Sequence, residues 1–233
     1  MGYSPPWELY NLNDDYSQAH DVAAKYPEKL KQLQDLLDAE AKRNNVYPIF
    51  QPSSKQPLAT EGRVRFVYRD GVERLPNAVV PHLAGRKYTI EADIDVPPQG
   101  ADGVIVAQGS RYGGFTLFIK NKYVIYEVNA FGNRAGKLVS KAALKAGKAH
   151  IEIDVIPGVS LNQTKVDPDS KPGIALLTIN NVVQGRAPLT NINSNSYTET
   201  LDVGSDLGSP VSSDYQSPNR FTGKIDQVAI ELK

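Results

Sequence analysis

Carboxylates are the residues of this sequence to which chemistry is most readily assigned. Glu91, Asp93 and Asp95 alternate with Ala92 and Ile94, so all three fall on one face of an extended strand. Two carboxylates on one face suggest glycoside hydrolysis. A retaining hydrolase holds its acid and its nucleophile roughly 5–5.5 Å apart, whereas Glu91 and Asp95 lie about 13 Å apart at ordinary strand rise. The chain's one Trp is Trp7, far from this strand, so no Trp is at hand to stack a sugar. A solvated strand face is expected there, and a jelly-roll glycoside hydrolase is the weakest functional reading. Adding the outward positions Glu127, Glu152 and Asp154 gives an acidic surface that could attract Ca²⁺. A tight calcium site needs several oxygens converging at roughly 2.3–2.6 Å, usually from loops. Asp202-Val203-Gly204-Ser205-Asp206-Leu207-Gly208 has the spacing of such a loop, with Asp202 and Asp206 as candidate ligands. It lacks the closing Glu of an EF-hand, and Asp/Gly pairs are ordinary turn chemistry, so a structural turn is the expected role.

Cationic and aromatic positions are fewer. Arg63, Arg65 and Arg69 alternate with Val64, Phe66 and Tyr68 and form one cationic strand face, the candidate surface for an anionic ligand. His20, His82 and His150 have no partner at metal-ligand spacing. Tyr112 could offer a ring to a sugar, while Tyr126 is expected to point inward. The absence of cysteine excludes disulfides, thiolate metal sites and thiol catalysis. A net charge of +0 without a basic stripe argues against nucleic acid. No apolar run approaches the ~18 residues of a membrane span. MGYSPPWELY has neither the basic start nor the apolar core of a secretion signal, and the compartment stays open.

The elements that must position these groups are mostly strands. Gly113–Val128 reads as a hairpin: Phe115–Lys120 and Tyr123–Val128 flank Asn121-Lys122, a two-residue loop whose Asn tolerates positive φ. The register places Lys120 opposite Tyr123 and stacks Ile119/Val124, Leu117/Tyr126 and Phe115/Val128 on one buried face. Thr116/Glu127 and Phe118/Ile125 fall on the other face, expected to be partly wet. Tyr88–Val96 and Ala149–Val155 alternate cleanly, Gly103–Gln108 is nearly all apolar, and Lys137–Ser140 is a further strand. Ile174–Ile179 pairs with Val182–Arg186 across Asn180-Asn181, and Lys224–Leu232 closes the series. Residues 188–223 read as a long wrapped loop. Many short strands with such turns predict an antiparallel sandwich.

Residues 1–50 differ in kind. Trp7–Leu12 reads as a short strand, Ser17–Ala24 as a short helix, and Pro27–Asn44 as an amphipathic helix with Leu30, Leu33, Leu37 and Ala41 on one face. Residues 51–60 are a linker by composition, and 61–233 form the sandwich. One strand and one helix cannot stand alone, so the Trp7/Leu9 and leucine faces need a partner or leave an apolar patch that favours association.

Several of these segments, taken in order, resemble the C-terminal portion of bacterial arylsulfatases. The matching features are Trp7–Leu12, the acidic turn Asn13–Asp15, His20–Ala23, the Pro27-started helix and Ala41–Pro48. In the sandwich they are Gly103–Gly109, Gly113-Gly114-Phe115 and Asp202–Leu232. The resemblance implies a concanavalin/laminin-G-like jelly roll preceded by the last strand and helix of a sulfatase catalytic region. It also marks what this chain lacks. The family's formylglycine nucleophile comes from a (C/S)-x-P-x-R motif, and the nearest approach, Ser4-Pro5-Pro6-Trp7-Glu8, puts Glu8 where Arg belongs. The family's calcium ligands lie in segments this chain does not match, so no cofactor is expected here and the chain alone is expected to be inactive. The implied function is non-catalytic: a structural or interaction role beside a sulfatase catalytic domain or another copy of the chain. The alternative is a carbohydrate-binding module for a sulfated glycan.

Overall fold

A computed structural model describes residues 7–46, 60, 62–130, 132–158, 172–190, 197 and 199–233. The chain divides into two compact units, Met1–Gln56 and Pro57–Lys233.

In the first unit, helix α1 spans Pro27–Arg43. Proline in the first turn sacrifices no helical bond, Glu28 suits the positive end, and Lys42 and Arg43 suit the negative end. Asn44 caps the helix and Asn45 takes φ 53°, so the Asn pair stops the helix as its composition predicts. Leu33, Leu36, Leu37 and Trp7 are exposed. The expected strand Trp7–Leu12 is not formed, because this unit offers no second strand among the described residues. Leu9 instead donates its N–H to Asp21 Oδ1 (2.9 Å) and accepts from Val22 N–H (2.8 Å). The expected short helix over 17–24 is also absent. Asp15 takes the N–H groups of Ala19 (3.1 Å) and His20 (2.7 Å), and Asp21 takes that of Ala23 (2.9 Å). Such local side-chain bonds compete with helix formation. The same N–H groups hold both carboxyls below the usual carboxylate range.

The second unit is the sandwich. Its strands are β1 (Arg65–Tyr68), β2 (Tyr88–Val96), β3 (Gly103–Ser110), β4 (Gly113–Lys120), β5 (Tyr123–Ala130), β6 (Asn133–Val139), β7 (Gly147–Ile156), β8 (Gly173–Ile179), β9 (Val182–Leu189), β10 (Leu201–Val203) and β11 (Lys224–Leu232). Sheet A has six strands in the order β1-β11-β2-β7-β8-β9, and sheet B has five in the order β10-β3-β4-β5-β6. Every pairing is antiparallel. The core lies between the sheets. Ile90, Ile94, Ile151, Ile153 and Leu177 face Ile105, Leu117 and Ile119, all essentially solvent-free. Each such side chain contributes about 1.5–3 kcal/mol on burial.

The β4–β5 hairpin has the expected register, with Asn121 and Lys122 at φ 53° and 71°. Asn180 and Asn181 turn β8 into β9 in the same way, at φ 48° and 65°. Strand β1 is shorter than expected. Phe66 and Tyr68 point inward, but Val64 lies outside the strand and is exposed.

The largest departure is the outer face of sheet B. Thr116, Phe118, Ile125 and Glu127 are buried rather than partly wet. Residues 204–223 cross that face as a strap, placing Val211 and Tyr215 against Val104, Ala107, Phe118 and Ile125. The strap is tied at both ends: Gly204 N–H donates to Ile105 O (2.9 Å), and Thr222 N–H to Asp102 O (2.9 Å). In the middle, Ser212 donates to Glu127 Oε2 (2.9 Å), Lys120 to Asp214 O (2.5 Å) and Asn129 to Val211 O. Lys137 pairs with Asp214 and reaches Glu127 Oε2 at 3.5 Å, while Arg134 reaches Oε1 at 3.3 Å. A carboxylate only 1% exposed therefore keeps charged and hydroxyl partners.

Candidate binding cleft

With sheet B closed by the strap, sheet A presents the open face, and a cleft of about 360 Å³ lies there. The pairing of β2 with β7 sets Asp93 opposite His150 and Asp95 opposite Lys148. Strand β11 adds the third wall. A register break between Ile225 and Gln227 inserts Asp226 as an extra residue, so Asp226 and Gln227 both line the cleft. Arg69, just beyond β1, and Asn180, in the β8–β9 turn, complete the lining.

The polar groups brace one another. Asp93 Oδ1 lies 2.7 Å from His150 Nδ1, and Asp93 Oδ2 accepts from Gln227 Nε2 at 2.8 Å. Burial alone would raise the Asp93 carboxyl, but those two bonds outweigh it and hold the group below its usual range. An ionised Asp93 only accepts, so His150 carries its proton on Nδ1. Asn180 accepts His150 N–H on Oδ1 (2.8 Å) and returns its own N–H to His150 O (2.9 Å). Asp226 is gripped by Lys224 (2.9 Å) and Lys148 (3.3 Å), which lower its pKa, and its carbonyl accepts from Arg69 Nη1 (2.8 Å).

The residues singled out in the sequence fall in several places. Glu91, Asp93 and Asp95 share the outer face of sheet A, and of these only Asp93 lines the cleft. Glu152 and Asp154 lie on the same face, opposite Glu91 and Thr89. Asp154 takes Thr89 Oγ1 (2.6 Å) and Lys233 (3.0 Å). A hydrogen bond to Asp154, burial and that neighbour's charge raise the Glu152 carboxyl. Glu127 is not part of this surface, because the strand carrying it belongs to sheet B. Of the arginine face, Arg69 lines the cleft. Arg65 is ion-paired to Glu91 (2.9 Å) and Glu231 (2.8 Å), and Arg63 stacks over Phe66 at 5.5 Å. Tyr126 is buried, with its hydroxyl 2.8 Å from that of Tyr88. Tyr112 is 59% exposed, with Arg111 over its ring at 5.3 Å.

Asp202 and Asp206 are both buried. Asp202 takes the N–H groups of Arg74 (2.6 Å) and Leu207 (3.2 Å), and Asp206 takes Val211 N–H (3.0 Å) and the Tyr215 hydroxyl (2.6 Å). Among the described residues no group of three or more His, Asp or Glu is arranged to hold a metal ion.

Lys148, Asn180, Asp226 and Gln227 are cleft residues that sequence reasoning did not find. A period-two reading of β11 puts Asp226 outward and Gln227 inward, and only the bulge brings both to the cleft.

No family model matches the chain, and no curated protein does. Solved structures do. A sialidase carbohydrate-binding module of Ruminococcus gnavus, determined with α2,3-sialyllactose, matches at 13% identity, over 64% of this chain and 77% of that one, with a TM-score of 0.43. Domains LG4–5 of the mouse laminin α1 chain match at 12% identity, over 73% and 39%, with a TM-score of 0.42. Sheep galectin-11 matches at 10% identity, over 72% and 97%, with a TM-score of 0.37. The chain itself has two antiparallel sheets that form a β-sandwich, and an N-terminal helix.

Proposed function

We propose that the sandwich is a non-catalytic carbohydrate-binding module whose sugar site is the cleft on sheet A. The observation that carries this reading is the mutual bracing of planar polar groups, Asp93, His150, Asn180 and Gln227, in an open cleft of about 360 Å³. Such groups leave amide donors, with Gln227 Oε1 and a ring nitrogen as acceptors, for the polar groups of a sugar, and pre-set groups bind without losing side-chain freedom. No second carboxyl shares the cleft floor with Asp93 in a braced acid–nucleophile pair, since Asp226 is held by two lysines. The expected result is saturable binding on a glycan panel. Asn180→Ala and Gln227→Ala should each weaken it by about 3- to 10-fold, one hydrogen bond's worth. Flat titrations across neutral and charged sugars would sink the reading.

A second reading follows the arylsulfatase resemblance and gives the chain a structural role beside a catalytic region. It draws on α1, whose Leu33, Leu36 and Leu37 are exposed. On this reading the purified chain turns over no aryl sulfate above blank. Protein-dependent hydrolysis would contradict it.

A further inference from the structure

The hydrogen-bond inventory of the cleft is lopsided. Both oxygens of Asp93 are occupied, by His150 Nδ1 and Gln227 Nε2. Both oxygens of Asp226 are occupied too, by Lys224 and Lys148, and Asn180 Oδ1 takes His150 N–H. Most of the strong acceptors thus already hold a partner inside the site, although a carboxylate oxygen can take a second. Donors remain. Arg69 uses Nη1 on the Asp226 carbonyl, which leaves Nε and Nη2. Among the described residues Lys148 has two further hydrogens, Asn180 has its whole Nδ2 amide, and Gln227 has a second Nε2 hydrogen. Against these stand Gln227 Oε1 and the outer nitrogen of His150. A ligand group that both donates and accepts, such as a hydroxyl, would satisfy only part of this set. A group that only accepts satisfies it best.

We propose that the cleft seats an anionic substituent of a glycan, a sulfate ester or a carboxylate, on Arg69, Lys148 and the Asn180 amide. The proposal rests on the glycan-binding reading above and names the ligand class. Arg69 suits it because a guanidinium presents parallel donors to a planar or tetrahedral oxyanion. Charge around the cleft is balanced: Arg69, Lys148 and the neighbouring Lys224 stand against Asp93, Asp226 and Asp95, so the spare donors select the ligand. Farther along the same sheet face acid prevails. Arg65 is shared between Glu91 and Glu231, and Lys233 takes Asp154, while Glu152 makes no direct ion pair among the described residues. The anionic group therefore sits at the cleft end, and a polyanion running across the sheet would meet the acidic rows.

The test is calorimetric titration of the full chain with matched oligosaccharides: a sulfated sugar, its desulfated parent and a uronate-bearing counterpart, with inorganic sulfate as a separate arm. At least one charged sugar is expected to bind about tenfold tighter than the neutral parent. Arg69→Ala and Lys148→Gln should each lose about tenfold for that sugar while the melting temperature holds. The two charged arms tell sulfate from carboxylate. Equal affinity for the neutral parent, or unchanged binding in both variants, overturns the anionic assignment and leaves the glycan reading standing. Inorganic sulfate binding as tightly as the sulfated sugar overturns the glycan reading and leaves the anion site. No binding in any arm overturns both.

Discussion

Gly103→Ala is expected to destabilise the sandwich by about 2–5 kcal/mol and to loosen the strap from sheet B. Gly103 has φ +110°, and a Cβ there would lie 2.3 Å from the Arg220 carbonyl oxygen and 2.7 Å from Phe221 Cα. The backbone conformation alone costs an alanine about 1–2 kcal/mol. Displacing packed backbone adds about 1–3 kcal/mol. What must move is the end of the strap, where Val104 N–H reaches Asn219 O (2.9 Å) and Thr222 N–H reaches Asp102 O (2.9 Å). Lifting that end uncovers Val104, Ala107, Phe118 and Ile125, an apolar patch on an otherwise polar surface. The substitution should lower the urea midpoint and create binding of a hydrophobic dye below that midpoint. A wild-type midpoint would show that the strap does not depend on the close approach at Gly103.

Tyr215→Ala should cost about 3–5 kcal/mol, the usual range for removing a buried aromatic ring. The ring packs edge-on against Phe118 at 5.1 Å, and the hydroxyl donates to Asp206. Tyr215→Phe separates the two effects: it keeps the ring and should cost about 1–3 kcal/mol by leaving a buried carboxylate short of a donor. That smaller penalty should depend on pH. Burial raises the Asp206 carboxyl, and the Tyr215 hydroxyl and Val211 N–H pull it back. A carboxyl raised in the fold contributes stability that is present below its unfolded pKa and lost as pH rises through the folded value. Removing the hydroxyl raises Asp206 further. The gap in melting temperature between wild type and Tyr215→Phe should therefore be wide near about pH 7 and shrink toward about pH 4. In an Asp206→Asn background, which keeps an acceptor and removes the charge, the pH dependence of the gap should vanish. A constant gap in both backgrounds would mean that Asp206 is not the partner that matters.

Strands whose two faces have different fates were legible in the sequence. The alternation of β2 and β7 and the Asn121-Lys122 turn set the hairpin register and the inward residues before any coordinates were needed. The strap was not legible, because its two anchoring apolar residues, Val211 and Tyr215, sit among Ser, Asp, Pro and Gly with no periodicity. For the same reason the Phe118/Ile125 face read as half wet, although its apolar character hinted at a cover. The Asn13–Asp15 turn forms as its composition predicts, but Ser17–Ala24 is not the expected helix, because helix propensity takes no account of the competing bonds of Asp15 and Asp21. The cleft was partly visible. Asp93 and Arg69 stood out by type, but the meeting of Asp93 with His150 depends on the β2–β7 register, and that of Asp226 with Lys148 on a bulge.

The place of β11 in sheet A bears on how the molecule reaches its fold. Strand β11 lies between β1 and β2, and Arg65 binds Glu231 across 166 residues of sequence. As the chain leaves the ribosome, β1 has no neighbour at all, and β2 has only β7, until β11 emerges. The β3–β6 meander can assemble early from local hairpins, but sheet A stays incomplete, with the edges of β1 and β2 that β11 joins unpaired. Contacts of such long sequence separation fold slowly. Until β11 arrives, the backbone edges of β1 and β2 stay open to pairing with another chain.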